Sequence, residues 1–111
     1  MKNNNEFIRK AGGCIVSNNI ISGKGKLMWC LREASMDSSD NGWRFFSDID
    51  TEDYLADASN LSVCDFNTVA QIEPAIIAIY LMKVGTDLKL VNSNGKKKFI
   101  DNETGEEVYP Q

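Results

Sequence analysis

The sequence predicts a single α+β domain. Short apolar runs of strand length alternate with glycine- and asparagine-rich turns, and one longer apolar stretch opens at Glu73-Pro74. At 111 residues the chain suits one hydrophobic core and is too short for two.

Taken in order, Gly12-Gly13-Cys14-Ile15-Val16-Ser17 reads as a buried strand, because small and β-branched residues follow glycines and then meet the turn-forming Asn18-Asn19. Gly23-Lys24-Gly25 opens a loop. Residues 27–32 and 42–46 read as the second and third strands, and the polar stretch 35–41 joins them as a hairpin. Residues 51–56 predict one or two helical turns, capped by Asp48 or Asp50. Residues 61–66 form a fourth strand, and Asn67 or Thr68 caps a short turn that runs to Ile72.

Proline is well placed at a first helical position, so a helix is expected over about 74–83. It is apolar on nearly every side and is therefore read as buried against the sheet. Residues 86–91 and 96–100, around the turn at 92–95, carry the clearest hairpin signal. The result is a mainly antiparallel sheet with one buried helix. A polar leader (1–12) and a polar tail (102–111) flank the domain at 13–101.

Formal net charge is −4, which disfavours nucleic acid and anionic membranes and favours a basic partner. The leader lacks an apolar core, and the longest apolar run, 75–82, is far short of a bilayer span. Cys14, Cys30 and Cys64 are odd in number and sit beside apolar neighbours, which predicts buried thiols in a reducing cytoplasm.

The chain contains no histidine, so the Ser-His and Cys-His nucleophile arrangements cannot be built. The cysteines lack Cys-x-x-Cys spacing, which removes the usual zinc and dithiol motifs. The acidic stretch Asp48-Ile49-Asp50-Thr51-Glu52-Asp53 fails as a calcium loop, with Asp53 in place of the glycine and Ser59 in place of the closing glutamate. Gly23-Lys24-Gly25-Lys26 fits neither phosphate-binding pattern. A non-enzymatic protein without metal or cofactor is expected.

Strand alternation puts Trp43 and Phe45 on one face and Arg44 and Phe46 on the other. In the structural reading both faces are covered and Arg44 pairs with Asp48 or Asp50. In the functional reading Trp29, Arg32, Trp43 and Arg44 form an exposed interface patch, flanked by Asp48, Asp50, Glu52 and Asp53. A small-ligand module with Trp29, Trp43 and Arg44 lining a pocket is the alternative. A carboxylate hydrolase using Asp50 is a weaker third.

Gly13-Cys14-Ile15-Val16-Ser17-Asn18, Gly25-Lys26-Leu27-Met28-Trp29 with Arg32-Glu33, Asn41-Gly42-Trp43-Arg44-Phe45-Phe46-Ser47, Asn67-Thr68, Pro74 and Val84-Gly85 occur in that order. Together they resemble the immunity-protein family numbered thirty-three of bacterial polymorphic toxin systems, over about residues 13–90. The sequence departs from the family pattern at Asp48, where a glycine commonly follows the serine. The resemblance implies an α+β domain that binds a cognate toxin in the cytoplasm and blocks it, with no catalytic role.

Overall fold

The computed structural model describes residues 6–109. Residues 1–5 of the expected leader and 110–111 of the expected tail lie outside it. Among the described residues the chain forms β1 (Gly13–Ser17), α1 (Asn18–Ile21), β2 (Leu27–Arg32), β3 (Asp40–Ser47), α2 (Glu52–Ala56), β4 (Leu61–Asp65), α3 (Phe66–Ile72), β5 (Asp87–Ser93), β6 (Lys96–Asp101) and β7 (Glu107–Val108). Short 3-10 turns occupy Ala58–Asn60 and Pro74–Ile79.

The seven strands form one mixed sheet in the order β4-β1-β3-β2-β5-β6-β7, which confirms the α+β class. The expected β2–β3 and β5–β6 hairpins are both antiparallel pairs. Asn94 and Gly95 turn the second with φ of 53° and 81°, the mirror-type geometry that fits strand twist. One neighbour departs from the antiparallel expectation: β1 lies parallel to β3, with Val16 opposite Phe45.

One face of the sheet carries the core. Cys14, Val16, Cys30, Trp43, Phe45, Leu88 and Phe99 meet Ile20 of α1, Phe66, Val69 and Ala70 of α3, and Ile76 and Ile79 of the 3-10 turn. Trp43 stacks on Phe45 at 5.8 Å, Phe45 meets Phe66 at 5.9 Å, and Phe66 meets Tyr80 edge-on at 4.8 Å. The chain at residues 6–12 is tied to α3. The Asn67 side chain accepts from Phe7 N and Ile8 N and donates to Ile8 O, and Ala11 enters the core.

Three local expectations need correction. Asn18-Asn19 begins α1 instead of a simple turn, because the Ser17 hydroxyl caps it by accepting from Asn19 N. The caps of α2 and α3 are Thr51 and Asp65, which lie immediately before each first turn. The helix expected over 74–83 is a 3-10 turn over Pro74–Ile79. Ile76 N bonds Glu73 O and Tyr80 N bonds Ile77 O, so the repeat is three residues, stacking Ile76 and Ile79 inward and leaving Leu81 89% exposed.

Candidate functional site

The Asn41-Gly42-Trp43-Arg44 segment is built into the fold. Gly42 has φ of +89°, and a Cβ there would run into the Glu33 carbonyl oxygen, so only glycine fits. Asn41 donates to Ala11 O and accepts from Trp43 N. The Trp43 indole is fully buried and donates to Tyr80 O at 3.2 Å. Arg32 donates to Asn41 O, Tyr80 O and Met82 O, and its guanidinium lies 5.6 Å from the Trp43 ring.

Arg44 lies on the opposite face and is 4% exposed. It grips Asp40 with two bonds of 2.9 Å and Glu33 with one of 2.8 Å. That fork holds the Asp40 carboxyl well below the usual carboxylate range and raises the guanidinium further. The expected partners Asp48 and Asp50 are engaged elsewhere. Asp48 accepts from Lys26 N, while Asp50 accepts from Ser47 N at 2.6 Å, Asn19 at 2.8 Å and Ser17 at 3.0 Å. Burial opposes ionisation of Asp50, yet these bonds outweigh it and its pKa is lowered. Trp43 and Arg44 therefore offer a partner almost no exposed surface.

Trp29 stands on the face away from the core, opposite Phe46 and Lys89. By strand register Ile15 and Leu31 share that face, and all four apolar side chains are half-buried. The Lys89 ammonium lies 6.0 Å from the Trp29 ring. Asp48, Glu52 and Asp53 are exposed. Sequence reasoning missed how far the acidic stretch reaches: seven carboxylates and no lysine or arginine lie between Arg44 and Lys83, so this segment carries the negative balance of the chain. Counting charges in windows would have found it.

Cys14 and Cys30 are buried, and burial pushes both thiols up, away from nucleophilic use. Cys64 is half-buried and sits opposite Cys14 in the β1–β4 pair. A second feature absent from the sequence reading is a cleft of about 560 Å3 between the Gly23 to Gly25 loop, the start of β2, the end of α3 and the β5–β6 turn.

A family model described as the immunity protein Imm33 domain matches residues 14–101. The chain belongs to this immunity-protein family. No curated protein and no solved structure matches. Within this Imm33 domain, the Gly-Trp-Arg block that carries the sequence resemblance is a fold-determining knot, and the exposed chemistry lies in the acidic stretch, the Trp29 face and the cleft. Among the described residues no helix is long and apolar enough to cross a membrane.

Proposed function

We propose that this Imm33 domain binds a cognate polymorphic toxin in the cytoplasm and neutralises it by occlusion, without turnover of its own. Family membership over residues 14–101 carries the reading. The acidic segment supports a basic partner, because exposed Asp48, Glu52 and Asp53 would raise the rate of encounter with a cationic surface. Trp29, half-buried on the sheet face away from the core, is proposed as a contact residue. Arg32, Trp43, Arg44 and Asp50 act behind the surface by holding the strands and loop that present it.

The test is co-expression with the C-terminal domain of a toxin encoded beside its gene, scored by growth. Rescue is expected. It is expected to survive Glu33→Ala, which trims one exposed ion pair, and to weaken when Asp48, Glu52 and Asp53 are all neutralised. Absence of rescue by the wild-type protein against every neighbouring toxin domain contradicts the reading.

A further inference from the structure

The cleft has an apolar floor and a polar rim. Ile20, Leu27 and Leu90 are buried beneath it, and Ile72, the last residue of α3, forms a wall with 48% of its surface exposed. On the rim, Lys97 binds Glu73 at 2.7 and 3.0 Å, and Asp48 accepts from Lys26 N at 2.9 Å. Lys26 and Lys97 balance Asp48 and Glu73, so the rim is close to neutral. With an apolar floor and Glu73 already paired to Lys97, the cleft is suited to recognise apolar shape at its base.

Asp48 is exposed, accepts from Lys26 N, and has no ion-pair partner within salt-bridge distance among the described residues. Its carboxylate is therefore open to a cation from a partner. We propose that the cleft is the anchor pocket for the toxin: it receives one aliphatic or aromatic side chain from a toxin loop, and a lysine or arginine beside that side chain meets Asp48. About 560 Å3 exceeds any one side chain and leaves room for the anchor together with the loop residues on either side of it. Such a buried anchor beside a charged pair is the usual composition of an interface hot spot. This inference rests on the toxin-binding reading and adds where the partner docks.

The test measures binding of the purified full chain to the neighbouring toxin's C-terminal domain. Ile72→Ser removes the apolar wall and Ile72→Trp narrows the cleft. Each is expected to weaken binding at least about tenfold, equivalent to ~1.4 kcal/mol, with the unfolding midpoint retained. Val63→Ser, at a site 78% exposed on edge strand β4, should leave binding unchanged. Asp48→Asn should weaken binding less and flatten its salt dependence. Met28→p-benzoylphenylalanine, at a position lining the cleft, should cross-link to the toxin domain. Wild-type affinity in both Ile72 variants, with no cross-link from position 28, overturns the anchor pocket while leaving the toxin-binding reading intact. Failure of the wild-type protein to bind overturns both.

Discussion

Gly42, Arg44 and Asp50 show how single residues secure the fold. Gly42→Ala adds both a left-handed backbone penalty and a collision with the Glu33 carbonyl, and should cost more than about 3 kcal/mol in urea unfolding. Arg44→Ala strands the Asp40 carboxylate, whose side chain is only 9% exposed, and should cost about 3 kcal/mol. Glu33→Ala should cost under about 1 kcal/mol, because Glu33 is 65% exposed and its pairing is screened by water. Asp50 and Asp40 have lowered pKa values in the folded state, so both favour folding above the ordinary carboxylate value of 3.8. Their contribution is lost as pH falls below it. Asp50→Asn should therefore lower stability at pH 7 by about 1–2 kcal/mol and give a shallower loss between pH 4 and pH 2, as read from acid-limb unfolding. Sequence alternation was enough to place Arg44 opposite Trp43. It could not choose Arg44's partners, because Glu33 reaches it only once β2 and β3 are paired, and Asp40 only through the irregularity of β3 between residues 40 and 44.

At the scale of elements, both hairpins were legible because period-two alternation and an Asn-Gly turn are local signals. The parallel β1–β3 contact was not, since β2 enters the sheet on the far side of β3 and nothing local marks that crossing. The Pro74–Ile79 segment was misread as an α-helix because three-residue and 3.6-residue spacings nearly coincide over six residues. The observed turn makes a sharp distinction within it. Ile76→Ala and Ile79→Ala should each cost about 2–4 kcal/mol, whereas Leu81→Ala should change stability by less than about 0.5 kcal/mol. Equal losses at residues 79 and 81 in urea unfolding would favour the longer buried helix.

Charge is unevenly spread along the whole chain: no lysine or arginine offsets the seven carboxylates between Arg44 and Lys83, and five lysines fall within residues 83–98. An even composition would give no preferred approach, whereas this one should orient a basic partner before contact. Neutralising Asp48, Glu52 and Asp53 together should slow association with the toxin domain by roughly tenfold at low salt, and the difference should shrink as salt rises. A stopped-flow salt series reads both. Family membership was legible through an ordered set of residues that proved to be largely structural; the cleft was not, because its walls come from four segments far apart in sequence. Toxin binding is tested by the equilibrium affinity of the purified protein for the neighbouring toxin's C-terminal domain, measured by calorimetry alongside the toxin's activity. A one-to-one complex in which that activity is lost is expected; the absence of heat, complex and inhibition at micromolar concentrations rules out toxin binding.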